Sequence, residues 1–144
     1  MSCTNSLIFA AVSFCILVMN QIACAADAQA QQSQQCGGFI TSCKEPFDHS
    51  QGFLQGTCKT DKGRWVVTSI DLDPHISNVN GNMVLGNGYK KTCQDFGYAR
   101  SSTSFIAAAN CTKFDGKLRR TGFDVNTRIS NQNGRLNWDK NCGS

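Results

Sequence analysis

The chain has 144 residues, of which 40% are hydrophobic and 17% charged, and its formal net charge is +4. This length accommodates one small domain or two very small ones. The positive charges are scattered, with no run of five like charges, so the composition is not typical of a nucleic-acid-binding arm or a polybasic membrane segment.

The N-terminal segment predicts a secretory signal peptide over residues 1–25. Leu7 to Met19 is an apolar run of 13 residues, and Ala23-Cys24-Ala25 follows it as an A-x-A cleavage pattern. The run is too short to cross a bilayer, and a buried core helix is the alternative interpretation. The Gln- and Ala-rich residues 26–35 are expected to form a flexible tail before a domain over 36–144. We therefore expect a secreted, extracellular protein.

The cysteines predict disulfides rather than a zinc site. Six of the nine lie after the expected cleavage site, and an even count in a small secreted chain is typical of a disulfide framework, with fifteen pairings open at this point. No C-x-x-C motif occurs, and His49 and His75 lie near no cysteine pair, so the spacing does not fit zinc.

An internal repeat narrows these pairings. The segment from Ile70 to Gly81 is followed 53 residues later by a similar segment from Phe123 to Gly134. The cysteines that precede the two segments are offset by 53 or 50 residues, which places a three-residue insertion in the second copy. The repeat therefore predicts three disulfides: Cys43–Cys58, Cys93–Cys111 and, between the two ends of the doubled unit, Cys36–Cys142.

The repeated segments predict β-strands. Apolar side chains alternate with their neighbours around Ile70, and less clearly around Phe123, which is the period-two pattern of a half-buried strand. Asn80-Gly81 and Asn133-Gly134 are typical of tight hairpin turns. One helical turn is expected before each hairpin, over Asp73–Ser77 and Asn126–Ser130. No segment has a sustained helical period, so the predicted class is all-β.

The two copies are expected to share a core or to exchange strands. One copy of about 50 residues buries too little apolar surface to be securely stable alone. The predicted core residues are Phe39, Phe53, Leu54, Trp65, Ile76, Met83, Phe105, Ile129, Leu136 and Trp138.

Taken together, these motifs resemble the cyanovirin-N homologue family. Each copy has a Cys, then fourteen to seventeen residues, a second Cys and the pattern D-[LV]-[DN]-x-x-I-x-N-x-[DN]-G-x-[LM]. The resemblance covers about Gly38 to Trp138, with repeat one over about 38–90 and repeat two over about 91–138. It implies a disulfide-stabilised, pseudo-twofold tandem-repeat fold in which two lobes exchange strands.

The resemblance also implies function. Members of this family are mannose-binding lectins that prefer α1,2-linked mannose ends and use no metal, cofactor or catalytic residue. The implied partners are mannose-containing oligosaccharides and glycoproteins, with neither nucleic acid nor membrane insertion. A monomer is expected, with a domain-swapped dimer as the alternative.

One carbohydrate site per lobe follows from the same resemblance. The first combines the start of copy one with the end of copy two: Gly38, Thr41, Ser42, Lys59, Asp61, Asn131, Gln132 and Asn133. The second is expected at Ser77, Asn78, Asn80, Lys91, Thr92, Thr112, Lys113 and Phe114. Short polar side chains beside a rigid disulfide can pair with the vicinal hydroxyls of a sugar.

Other interpretations of these residues stay open. The asparagines are equally typical of turn formation, and the lysines of solvated surface. Asn110-Cys111-Thr112 matches the N-glycosylation sequon, and a glycan there would crowd the second site. A small basic ribonuclease that uses His49 and His75 as acid and base is the competing hypothesis, although solvated surface positions are expected for both.

Overall fold

The computed structural model describes residues 36–142, which form two β-lobes of similar build. The predicted signal peptide and tail lie outside the described residues. The strands of the first repeat are β1 (Cys43–Ser50), β2 (Phe53–Lys59), β3 (Trp65–Asp71), β4 (Ile76–Val79) and β5 (Asn82–Leu85). Those of the second are β6 (Cys93–Arg100), β7 (Phe105–Thr112), β8 (Leu118–Asp124), β9 (Ile129–Gln132) and β10 (Arg135–Trp138).

Each repeat consists of a three-stranded antiparallel sheet followed by a hairpin. The sheets have the orders β1-β2-β3 and β6-β7-β8, and the hairpins are β4-β5 and β9-β10. Short 3-10 turns occupy Phe39–Thr41, Tyr89–Lys91 and Val125–Thr127. The described part of the chain has no α-helix, and within it no helix has the length and apolarity to cross a membrane.

The hairpins are exchanged between the lobes. In β5, Met83 N–H donates to Thr121 Oγ1 of β8 at 3.3 Å, and in β10 the equivalent Leu136 N–H donates to Thr68 Oγ1 of β3 at 3.2 Å. Each repeat therefore completes the lobe of the other. The predicted all-β, pseudo-twofold fold with strand exchange is confirmed.

Tight turns allow this close packing. Asn133 and Gly134 have φ values of 52° and 86°, and the equivalent Asn80 and Gly81 have 50° and 81°, as a type I′ turn requires. A Cβ on Gly134 would lie 2.5 Å from Val66 Cγ2 in the other repeat, so a larger residue does not fit there. The Asn-Gly dipeptides thus serve both the turn geometry and the approach of the hairpin to its partner sheet.

Three disulfides pin this arrangement. Cys43–Cys58 and Cys93–Cys111 link directly opposed residues of β1-β2 and β6-β7. Cys36–Cys142 joins the two ends across a separation of 106 residues. Beside it, the buried Asp139 carboxylate accepts a hydrogen bond from Gly37 N–H at 2.8 Å. The ends of the doubled unit are therefore held together twice.

The core includes most of the residues expected from the sequence. Phe39, Leu54, Ile76, Met83, Phe105, Ile129 and Leu136 are buried, and Trp138 is partly buried against them. Buried residues that the sequence did not indicate include Phe47, Leu72, Tyr89 and Val125.

The prediction that Trp65 and Phe53 lie in the core is wrong. Their side chains are 44% and 43% exposed, respectively. Strand geometry gives the reason, because neighbouring side chains in a strand point to opposite faces. Val66 faces inward in β3 and Leu54 is buried in β2, so Trp65 and Phe53 lie on the outer face of the sheet.

The expected helical turns before the hairpins are shorter than predicted. In the second copy only Val125–Thr127 is helical, and in the first a simple turn over residues 73–75 leads into β4, which begins at Ile76. The Asp124 carboxylate caps the second turn by accepting from Asn126 N–H at 3.0 Å. Residues 76–77 and 129–130, which were expected to be helical, instead pair with β5 and β10 in the hairpins.

Candidate functional site

The first candidate site lies where hairpin β9-β10 meets the sheet of repeat one, and Asn131 joins the two. Its side-chain amide donates to Ser42 Oγ at 3.0 Å and to the Lys59 carbonyl at 2.8 Å. Its Oδ1 accepts from Gly134 N–H at 2.8 Å. Asn131 thus binds Ser42, Lys59 and Gly134 and links the hairpin to the sheet of repeat one.

A second asparagine fixes the rim of this site. Asn133 Oδ1 accepts from Asp61 N–H at 3.0 Å, which ties the hairpin turn to the β2-β3 turn. Thr41 Oγ1 donates to the Gly38 carbonyl at 2.8 Å. Gln132 is exposed beside them, between the two asparagines. The structure therefore brings the residues predicted for the first site to one surface.

The second candidate site repeats this geometry. Asn78 donates to Thr92 Oγ1 at 3.0 Å and to the Thr112 carbonyl at 2.8 Å, and Asn80 Oδ1 accepts from Phe114 N–H at 2.9 Å. Lys113 belongs to the same turn, and its Cγ would lie 2.7 Å from a Cβ placed on Gly81.

Two predicted members of the second site are less closely joined. Lys91 is exposed in the 3-10 turn that precedes Thr92, and Ser77 is half-buried in β4. Neither side chain makes a hydrogen bond to another member of the site within residues 36–142. They border the site, and their functional role stays a prediction.

The two sites differ in chemistry although their frames match. At equivalent positions, the first site presents Thr41, Lys59, Asp61 and Gln132, and the second presents Lys91, Thr112, Phe114 and Val79. Phe114 is 85% exposed, whereas its counterpart is a carboxylate. Hydroxyl, amide and carboxylate groups dominate the first site, and an apolar ring with basic neighbours dominates the second.

One lysine of the second site forms a local ion pair. Lys113 Nζ lies 3.0 Å from Asp115 Oδ2. The hydrogen bond from Lys113 and one from Lys117 N–H lower the pKa of the Asp115 carboxyl. Because the pair is exposed, it is weak, and the Lys113 ammonium can exchange partners at little cost.

Both histidines depart from the solvated positions expected for them. His49 is only 2% exposed, with Nδ1 2.6 Å from the Gly97 carbonyl and Nε2 3.2 Å from the Tyr89 hydroxyl. His75 is half-buried and stacks on Trp138 with ring centroids 4.4 Å apart. Burial lowers the pKa of both imidazoles. The surface prediction is wrong for His49 because the turn begins after Ser50, so His49 still lies in β1 and points inward.

Lys44 and Trp65 lie beside the first site and were not among its predicted residues. Lys44 Nζ lies 4.3 Å from the centroid of the Trp65 ring, and Lys59 Nζ lies 5.9 Å from it. The turn signal at Asp61–Gly63 could have placed Lys59 opposite Trp65, because these residues pair across the hairpin. The sequon residue Asn110 lies in the central strand β7, where its side chain donates to Asp95 Oδ2 at 2.8 Å.

Metal binding has no evident candidate here. Between residues 36 and 142, no three His, Cys, Asp or Glu side chains are grouped so that they could hold an ion. The six cysteines of this part are all in disulfides.

Two lobes with exchanged hairpins, each carrying an asparagine-braced polar surface, define a class of disulfide-linked tandem-repeat β-proteins. The family model of the CVNH domain matches residues 39–142, and the chain belongs to this family. CVNH is a carbohydrate-binding lectin fold.

Known relatives agree with this assignment. A cyanovirin-N homolog of Tuber borchii is 33% identical over 85 residues, which are 58% of this chain and 80% of that protein. The solved complex of microvirin with mannobiose has a TM-score of 0.60 at 24% identity and covers 71% of this chain and 98% of its own. A MoCVNH3 variant in complex with (N-GlcNAc)4 has a TM-score of 0.63 at 15% identity, covering 74% and 99%.

Proposed function

We propose that this protein is a secreted lectin that binds mannose-rich glycans, at α1,2-linked mannose ends, through hydrogen bonds and without a metal. The observation that carries this proposal is the duplicated frame in which Asn131 and Asn78 fix a polar surface at the junction of each lobe with the exchanged hairpin. The signal-peptide pattern of residues 1–25 supports the proposed secretion.

The exposed groups of the first site suit a sugar. The Asp61 carboxylate and the Gln132 side chain are exposed, and the Asp61 carboxylate makes no hydrogen bond within residues 36–142. A sugar hydroxyl both donates and accepts, so a carboxylate beside an amide can pair with two neighbouring hydroxyls. Because a disulfide and the two asparagines already hold the backbone, little ordering cost is added on binding.

The type of sugar rests on relatives and on site chemistry. Mannobiose is bound to microvirin and an oligomer of N-acetylglucosamine to the MoCVNH3 variant. We propose mannose for both sites, and the site chemistry supports it for the first, where hydroxyl and carboxylate groups dominate. Engagement of both sites by one branched glycan would raise its avidity.

The alternative of a small hydrolase is disfavoured. Both ring nitrogens of His49 lie at protein partners, and the His75 ring faces Trp138. An acid and a base must instead reach the reacting groups of a substrate. We propose that the protein performs no catalysis.

Calorimetric titration of α1,2-mannobiose tests the proposal. Asp61→Ala with Gln132→Ala removes exposed groups of the first site and leaves the Asp61 backbone bond to Asn133 in place. Lys91→Ala with Phe114→Ala does the same for the second. We expect each double variant to lose one class of binding site and EDTA to have no effect.

The matched control is Gln55→Ala with Ser69→Ala, an opposed pair of exposed residues on the outer face of the first sheet. It should bind like the parent protein. Absence of mannobiose binding by the parent, or preference for the N-acetylglucosamine oligomer at the first site, would overturn the proposed specificity.

A further inference from the structure

The outer face of the first sheet carries a cluster that the fold itself does not require. Lys44, Lys59 and Trp65 lie together there, with both ammonium groups over the indole ring. The equivalent positions in the second lobe are Gln94, Thr112 and Leu118. The second lobe forms the same sheet without a lysine or a tryptophan at these positions. Folding therefore does not account for the cluster.

The charges of this cluster are not neutralised by the protein. The ion pairs within residues 36–142 involve Lys90, Arg100 and Lys113, and neither Lys44 nor Lys59 has a carboxylate within 4.0 Å. The adjoining turn adds Lys62 and Arg64 against the single carboxylate of Asp61. This end of the sheet therefore has an excess of positive charge, and it fits an anionic ligand.

The cluster is continuous with the first candidate site. The Lys59 carbonyl accepts from Asn131 on one side, while the Lys59 side chain reaches over Trp65 on the other. Trp65 is 44% exposed and so offers an accessible apolar ring. An aromatic face packs well against the apolar C–H face of a pyranose, and a lysine ammonium binds phosphate or sulfate as a point charge.

We propose that Trp65, Lys44 and Lys59 form a subsite for a sugar ring that carries a phosphate or sulfate ester. The ring takes the place of the Lys44 ammonium on the exposed indole face, and the two ammonium groups turn to bind the ester oxygens with charge-assisted hydrogen bonds. The subsite rests on the proposed lectin function for the class of ligand and adds a preference for anionic glycans in the first lobe alone.

Mannose 6-phosphate is the probe, and mannose and inorganic phosphate are the references. Binding is monitored by the NMR signal of the Trp65 indole N–H. We expect the probe to bind at least about fivefold more tightly than either reference, as two exposed ion pairs and one stacking contact allow. Trp65→Leu and Lys44→Gln introduce the residues of the second lobe, which that sheet accommodates. Measured by calorimetry, Trp65→Leu should reduce binding to the level of phosphate alone, and Lys44→Gln should reduce it toward the level of mannose.

Lys117→Gln is the control, because it removes an equal charge from a turn of the second lobe. An affinity for mannose 6-phosphate no higher than for phosphate, or an equal loss in Lys44→Gln and Lys117→Gln, would overturn the subsite. Tighter, Trp65-dependent binding of a single-stranded DNA oligomer would also overturn it. The neutral α1,2-mannobiose titration separates the two proposals, because its failure with intact mannose 6-phosphate binding counts against the mannose sites alone.

Discussion

The side-chain amide of Asn131 donates to the backbone carbonyl of Lys59 at 2.8 Å, across 72 residues of sequence. Its counterpart Asn78 makes the equivalent bond to the Thr112 carbonyl, also at 2.8 Å. These asparagines attach each hairpin to the lobe of the other repeat. They are structural braces of the candidate sites, whereas the exposed side chains around them are the groups available to a ligand.

Asn131→Ala should destabilise the protein by about 1–3 kcal/mol, because it leaves Gly134 N–H without its acceptor and removes the hydrogen bonds to Ser42 and Lys59. Urea unfolding measures the loss. Gln132→Ala, at the neighbouring exposed position, is the control and should change stability little. Equal stabilities of the two variants would contradict the bracing role.

Gly56→Ala should cost about 1–3 kcal/mol of stability, because the new methyl group would lie 2.7 Å from the buried Phe47 ring. Gly97→Ala is the matched control in the second lobe. Its methyl group would meet only the end of the flexible Arg120 side chain, at 3.2 Å. Thermal unfolding of both variants tests this, and a larger effect at Gly97 would show that the core near Phe47 is looser than described.

Stability should fall as the solution is acidified from neutral pH, in part through His49. Burial lowers its pKa from the usual 6.5, and Arg120 acts in the same direction, whereas the Gly97 carbonyl and the Asp48 carboxylate oppose the shift. The unfolded chain therefore binds more protons than the folded one below about pH 6.5, so the free energy of unfolding declines from there through the folded pKa.

His49→Gln should flatten this pH dependence, measured as the difference in unfolding free energy between neutral pH and about pH 5. The comparison uses the slope, since the substitution also alters a buried contact. His75→Gln is the reference, and it should remove a smaller part because His75 is only half-buried. A slope unchanged by His49→Gln would exclude His49 as a source of the pH dependence.

Replacement of Cys36 and Cys142 by Ser should lower stability by about 4–5 kcal/mol on the chain-entropy account, because this disulfide closes a loop of 106 residues. Calorimetric unfolding measures the change. Sugar affinity at low temperature should persist, since the other two disulfides adjoin the candidate sites. Loss of binding in the folded double variant would mean that the joined ends also shape those sites.

Local patterns predicted much of this fold. The Asn-Gly turns, the strand alternation around Ile70 and the repeat offset are encoded within short segments, and the corresponding hairpins, strands and disulfides are present. The burial of His49 could not be predicted in the same way, because it depends on contacts with Gly97 and Tyr89, which lie 48 and 40 residues further along the chain. Trp65 was misplaced because its size suggested the core, although its position in the alternation indicates the outer face.

The candidate sites were only partly accessible to sequence reasoning. The resemblance indicates which segments meet, but the division between bracing residues such as Asn131 and exposed residues such as Gln132 depends on side-chain hydrogen bonds. The Lys44–Trp65 contact spans strands that are not adjacent in the sheet, so no pairing rule indicates it directly.

Because the hairpins are exchanged, each candidate site is formed by residues of both repeats. An isolated repeat would carry half of one surface and half of the other, and it would need a second copy of itself to assemble either. A substitution in one hairpin turn therefore changes the candidate site on the lobe of the other repeat, and Gln132 and its counterpart Val79 show that the two hairpins already present different side chains there.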